Sequence, residues 1–266
     1  TSVFGLPGVQ SVFVIYGIAF ALLVLVGSIW MVNPPEGYKP EGWEPPKPTG
    51  KVAATGSVDL TSKEMLRTPQ YLMLLLLFIG SALAGLMVIY CIRLFGVDAL
   101  QASGAVSDAK TAGIVAGTAM AWYAILNGLG RIAWGVASDK IGRKSALFAM
   151  CLIQGIVMLL FYKMGATKIG LIVGACIIGF NFGGNFALFP VATADFFGNK
   201  NVGTNYGWVF LAYGVAGIAG PQVAGFFKDA AKGGDVTAWT TPFIVAGVAC
   251  LVSAVISLLL KPPKHA

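Results

Sequence analysis

Apolar runs of about twenty residues, separated by short polar stretches, recur along the chain. They cover residues 11–32, 71–92, 111–137, 145–162, 169–190, 205–227 and 241–260. A run of roughly 20 apolar residues, rising 1.5 Å per residue as a helix, crosses a bilayer. Such runs are too long for strands, and a spanning backbone must satisfy its own hydrogen bonds. The pattern therefore predicts seven transmembrane α-helices and an all-α membrane protein. One long interruption, residues 33–70, is rich in proline and mixes charges of both signs, which predicts an extended linker. Within it residues 59–67 have helical character, with Thr61 or Ser62 as N-cap, and are expected along the membrane surface. The expected organisation is one helix in residues 1–32, a linker over 33–65 and a six-helix unit over 66–266.

Composition agrees with the pattern. The 266 residues are 57% hydrophobic and only 11% charged, with a mean hydropathy of +0.79, far from the roughly 25% charged of soluble domains. The net charge of +7 would suit nucleic acid or an anionic surface, but its distribution follows the topology. Lys39, Lys47, Lys51, Lys63, Arg67, Lys140, Arg143, Lys144, Lys200, Lys261 and Lys264 fall on one side of the spans. Arg93, Lys110, Lys163, Lys168, Lys228 and Lys232 fall on the other. The more basic side is expected to be cytoplasmic, which puts the C-terminus inside and the N-terminus outside. No nucleic-acid partner is expected. Cys91, Cys151, Cys176 and Cys250 all lie in apolar runs without metal-ligand spacing, so neither a disulfide nor a metal is expected. His265 sits in the polar tail and is expected in solvent. The chain starts at Thr1 with no charged segment before the first span, so no signal peptide is expected and a longer parent protein is.

Glycines concentrate in the fifth and sixth spans, where small residues let helices approach closely. The run Gly183-Gly184-Asn185, in mid-membrane, predicts a flexible point. Trp30, Trp134 and Trp239 near span ends are expected as interfacial anchors.

The candidate chemistry centres on Arg131, the lone charge of the third span. It lies about two turns, ~10 Å, before the following loop. An arginine at that depth usually faces a bundle interior or a watery cavity, and its fork grips a carboxylate in two places. Asn127 and Tyr123, four and eight residues earlier, share its helix face and give one stripe of cation, amide and phenol. No acidic residue lies clearly inside a span, so an anionic substrate is the expected counter-ion, with an acidic residue on another part of the protein as the rival. Asn185 and Tyr213 are the expected substrate neighbours from other spans.

The loop itself reads Gly135-x-x-x-Asp139-Lys140-x-Gly142-Arg143-Lys144. These residues, with Asp195, form a candidate conformational latch. Arg143 is expected to pair with Asp195, and Asp139 to accept hydrogen bonds from the N-terminus of the sixth span. All ten positions resemble the G-x-x-x-D-[RK]-x-G-[RK]-[RK] signature of the major facilitator superfamily. Residues 190–207 (Pro-Val-Ala-Thr-Ala-Asp-Phe-Phe-Gly-Asn-Lys-Asn-Val-Gly-Thr-Asn-Tyr-Gly) and 60–69 further resemble the oxalate/formate antiporter family, relatives of the monocarboxylate transporters. That resemblance implies the major facilitator fold: helix six, the interdomain linker and helices seven to twelve of a twelve-helix carrier. It also implies a substrate-binding arginine at Arg131 and no cofactor. Oxalate carriers of the family add a lysine in helix eleven, where this chain has Tyr213. A single cation suits a monoanion such as formate, lactate or pyruvate.

Other classes fit less well. The last span has no lysine for a retinal Schiff base, and no paired aspartates, His-Glu-x-x-His or activated nucleophile mark an enzyme. The expectation is a secondary transporter of a small monocarboxylate in a bacterial inner membrane. An oxalate/formate-type dicarboxylate exchanger and an accessory half-transporter are the alternatives.

Overall fold

A computed structural model describes residues 8–32, 58–231 and 235–261, together with 5, 35, 38, 41 and 42. Most of the proline-rich linker, with Lys39, Lys47 and Lys51, lies outside the described residues, as do Lys232, Lys264 and His265. By contact the chain forms two units, Thr1–Pro48 and Thr49–Ala266. The first carries α1, Gly8–Ser28. The second carries α2 (Ser62–Met65), α3 (Pro69–Ala102), α4 (Ala109–Ile141), α5 (Arg143–Gly165), α6 (Lys168–Phe197), α7 (Val202–Ala231), a 3-10 turn at Val236–Trp239, and α8 (Thr240–Leu259). All the described secondary structure is helical, and 7 of these helices are long and apolar enough to cross a membrane.

The helices overrun the apolar runs that predict them. Thr68, Asp108 and Thr167 each accept a hydrogen bond from the backbone amide three residues on, at 3.2, 2.8 and 3.1 Å, so α3, α4 and α6 start in polar sequence. At its far end α3 runs to Ala102, past the expected stop at residue 92. Its Asp98 accepts a 2.9 Å hydrogen bond from Trp239 Nε1. Trp239 is therefore fully buried and is not an interfacial anchor. Trp134 is not one either, being buried with its Nε1 donating to Asn181 Oδ1 at 3.2 Å. Pro190 lies inside α6 rather than at its end.

The six long helices of the second unit have an internal two-fold pattern. α4 packs along α6 and α7 packs along α3; α5 meets α6 as α8 meets α3; and α5 lies against α8. Exchanging α3–α5 with α6–α8 reproduces every one of these pairings. Since α3 and α6 start at opposite ends of the bundle, the two halves form an inverted repeat.

The closest seam is α4 against α6. A Cβ on Gly130 would run into the Phe180 carbonyl, one on Gly179 into that of Tyr123, and one on Gly183 into that of Asn127. Backbone meets backbone there because no side chain intervenes. Gly183 and Gly184 are thus contact points within a continuous helix, not the flexible point their clustering suggests.

The segment before α3 is docked against the end of α6 and the start of α7. Its helix covers only Ser62–Met65, with Thr61 as N-cap in a reciprocal capping box with Glu64. The Thr61 hydroxyl, and then its amide, hold the Glu64 carboxyl below the usual carboxylate range. The box therefore holds above that range and lets go as pH falls through the lowered value. Leu60 N donates to Phe197 O at 2.9 Å, and Asn201 and Asn205 amides donate to Leu60 O at 3.1 and 3.0 Å. Ser62 completes the clamp with a 2.9 Å bond to Asn205 Oδ1.

Gly183→Ala is expected to prise α4 from α6 and to destabilise the protein by roughly 1–3 kcal/mol, the usual range for overpacking. Gly113→Ala, approached only by the Arg93 and Val97 side chains at 4.0 Å, should be near neutral. Thermal unfolding of the purified variants separates the two.

Candidate anion site and latch

Arg131 lies ten residues before the end of α4, so ~15 Å from it along the axis. That is deeper than the sequence suggests, because the supposed loop is helical up to Ile141. The side chain is exposed in the described chain, and its position is set by two contacts. Nη2 donates to Asn127 Oδ1 at 3.3 Å, and Cζ stands 4.5 Å from the centroid of the Phe186 ring on α6. Phe186 in turn packs edge-on against Tyr213 of α7, with ring centroids 5.6 Å apart. Tyr213 stacks on Phe210 at 5.1 Å and faces Phe182 at 6.4 Å. The guanidinium therefore stands at the mouth between α4, α6 and α7, over a shelf of aromatic rings. A cation over a ring face is attracted by its quadrupole, and the bond to Asn127 leaves most of the guanidinium donors for a ligand.

Of the expected neighbours, Asn127 and Tyr213 are in this group, while Tyr123 and Asn185 stand elsewhere. Tyr123 is 2% exposed, and its hydroxyl donates to Gly85 O at 3.2 Å, towards α3. Asn185 is fully buried and accepts from Ser81 Oγ at 2.6 Å. One residue further round the helix turns the side chain by 100°, so Phe186, not Asn185, reaches the arginine. Phe186 carries no polar signal in the sequence. Only its place beside Asn185 points to it.

The candidate latch is built from helix ends joined by one residue. Gly142 is at once the C-cap of α4 and the N-cap of α5, with φ 86° and ψ 153°. A side chain is strained in that region, so the motif needs glycine there. The turn brings Arg143 into the first turn of α5, where the helix dipole disfavours a cation. Three acceptors offset this. Nε donates to Asp195 Oδ2 at 3.0 Å, and Nη1 donates to Asp139 Oδ1 at 2.6 Å and to the Ser138 hydroxyl. The expected Arg143–Asp195 pair is present. Asp139, however, accepts from Arg143 and not from the N-terminus of α7, because Gly142 turns the guanidinium back over the last turn of α4. Asp195 lies in the last turn of α6, also the wrong end for its charge, so each ion relieves the other's helix. Gly135 holds the network from behind, its carbonyl accepting from Ser138 Oγ at 2.8 Å. Lys140 and Lys144 are exposed at the same end and make the surface basic. A separate cavity, lined by Ala102, Tyr162, Lys163 and Val236 among others, lies at the opposite end and includes none of these residues.

Residues 105–266, more than half of the chain, match the sequence pattern of the Major Facilitator Superfamily. The chain belongs to this superfamily. Among characterised and catalogued facilitators it is 31% identical, over 79% of its length, to the uncharacterized MFS-type transporter YhjX of Escherichia coli strain K12, and covers 48% of that protein. It is 26% identical over 98% of its length to the oxalate:formate antiporter of Oxalobacter formigenes, covering 57% of it. A shorter stretch, 32% of the chain, is 37% identical to apicoplast pyruvate carrier 1 of Toxoplasma gondii and covers 16% of it. The chain thus spans about half the length of the first two relatives. It is an integral membrane facilitator chain with the all-helical fold of that superfamily.

In this facilitator Gly142→Ala is expected to cost roughly 1–3 kcal/mol, while Gly203→Ala, which meets nothing within 4 Å and has an ordinary φ, should cost little. Tm values of the two purified variants make the comparison.

Proposed function

We propose that this chain is part of a secondary active transporter of a small organic anion, a monocarboxylate of the formate, lactate or pyruvate class, working by alternating access. In this reading α1 is the last helix of an N-terminal half, residues 33–65 are the cytoplasmic interdomain linker, and residues 66–266 are the C-terminal six-helix half. Its partners are the lipid bilayer, a small carboxylate substrate and the N-terminal helices of the same transporter, with no nucleic acid and no cofactor. The basic Gly142 end and the C-terminus face the cytoplasm, and the membrane is a bacterial inner membrane.

The observation that carries the proposal is the setting of Arg131. Among the described residues its contacts are an amide and an aromatic ring, not a carboxylate. A membrane-embedded cation held this way is costly until an anion arrives. A carboxylate docking in the guanidinium fork supplies the counter-charge and two charge-assisted hydrogen bonds. Phe186 and Tyr213 form a flat wall beside it, which suits a compact planar acid. With Tyr213 and no second cation in the cluster, one negative charge is neutralised and a second is not. That favours monoanions, while the name of the oxalate:formate antiporter relative supports the second reading, a dicarboxylate–monocarboxylate exchanger. Gly135, Asp139, Lys140, Gly142, Arg143, Lys144 and Asp195 then act as the latch. The Arg143 pairs hold one conformation closed at the cytoplasmic end and break in the other.

In the complete transporter reconstituted in liposomes, Arg131→Ala should bring labelled formate or lactate uptake to background while the protein stays folded. Arg131→Lys should also fail, since a point charge does not reproduce the bidentate fork. Phe186→Leu should raise KM by roughly 2- to 30-fold, the worth of a cation–π contact. Competition by a panel of mono- and dicarboxylates, with and without a pH gradient, decides between the two readings. Retained transport in both arginine variants would sink the site.

A further inference from the structure

The middle of the six-helix bundle holds a polar cluster that neither the anion site nor the latch uses. Ser81 of α3, Gln154 of α5 and Asn181 and Asn185 of α6 are all at most 2% exposed. Four of their polar atoms have no hydrogen-bond partner: both amide atoms of Gln154, and the amide nitrogens of Asn181 and Asn185. An unmet amide in such surroundings costs kilocalories, more so at membrane depth.

Helix register brings these residues to one level of the bundle. α5 and α6 run antiparallel, and the close approaches of Gly184 to Met150 and of Gly174 to Phe161 fix their register. That register sets Gln154 level with Asn181. Cys151, one turn from Gln154, stands beside the Ser81 hydroxyl, which itself donates to Asn185. Gln154 and Asn181 are thus the next rung of one ladder.

The orphaned groups also define what they would take. Trp134 Nε1 only donates, so the oxygen of Asn181 must face it and the nitrogen must face the cluster. Three amide nitrogens and a single oxygen are left over. The cluster offers no carboxylate to a metal cation, and Gln154 Oε1 needs a donor that a bare anion lacks. Water fits, since it accepts from amide N–H groups and returns an O–H to Gln154 Oε1.

We propose that this seam between α5 and α6 is a buried water site, coordinated by Gln154, Asn181 and Asn185. It bridges α4, through Trp134, to α3, through Ser81. The bound water replaces a direct side-chain bond between packed helices, so the joint is polar and satisfied without being locked.

The sign of one substitution tests this. With water bound, Gln154→Leu removes a ligand and strands the two asparagine nitrogens, so the Tm of the full-length protein should fall by roughly 2–4 °C. In a dry seam the same change deletes two unmet polar atoms, and Tm should rise. The second measurement needs no variant. Hydroxyl-radical labelling of the wild-type protein in 18O-water should mark Cys151 well above Cys91, both being 0% exposed. A rise in Tm on Gln154→Leu, or labelling of Cys151 no greater than that of Cys91, overturns the proposal.

Discussion

The contact on which the rest depends is the bare-backbone seam between α4 and α6. Gly130, Gly179 and Gly183 let the two helices lie closer than any side chain would permit. Each functional feature is strung along that seam. Arg131 of α4 reaches Phe186 of α6 only because the two axes are this close. Trp134, one turn on, reaches Asn181 for the same reason. At the end of the seam Arg143, just past α4, reaches Asp195 near the end of α6. Membrane helices have no hydrophobic drive toward one another, since lipid is as apolar as leucine, so close van der Waals packing must supply it. The glycines do this and also set the reach of every polar group on the two helices.

The charge at the two ends of this seam is handled in opposite ways. Near the surface, Arg143 and Asp195 each sit at the helix end that disfavours them, and they neutralise each other at about 25% exposure. Such a pair is moderate in strength because water can replace either partner, which is what a contact that must break requires. Deeper in, Arg131 meets no carboxylate among the described residues, and its contacts are ones a ligand can share. In the proposed function, a bridge closed within the protein serves as a latch and a cation left for a guest as a binding site.

The fold was legible because length and hydropathy suffice for spanning helices, and the Arg143–Asp195 pair was legible because a tight motif fixes its geometry. Helix ends were not, since Thr68, Asp108 and Thr167 cap helices in polar sequence that hydropathy reads as loop. Nor was the orientation of Trp134 and Trp239, whose indole nitrogens find Asn181 and Asp98 far away in sequence. At the site, Arg131 and Asn127 follow from four-residue spacing on one helix, but Tyr123 turns inward to Gly85 because the α3–α4 contact claims that part of the face. Choosing partners on other helices by polarity selected Asn185 over Phe186. Polarity marks which residues need a partner, not which direction they face, and helix rotation is set by packing that a single sequence does not display.

That lesson bears on how the two polar systems of the bundle differ. Asn185, Asn181 and Gln154 lie inside the six-helix bundle, and their unmet atoms look inward. Arg131 is exposed on α4, and the half-buried Tyr213 links its aromatic shelf to the core. A carrier that rocks two halves around a central site needs both kinds of polarity. One kind must stay satisfied throughout the cycle so that each half moves as a body. The other must be satisfied only when cargo is present, because an arginine content in both states would give the substrate no differential energy with which to shift the equilibrium. On the proposed reading, the Arg131 guanidinium on its aromatic shelf meets the second requirement, and the buried amides meet the first once their water is bound.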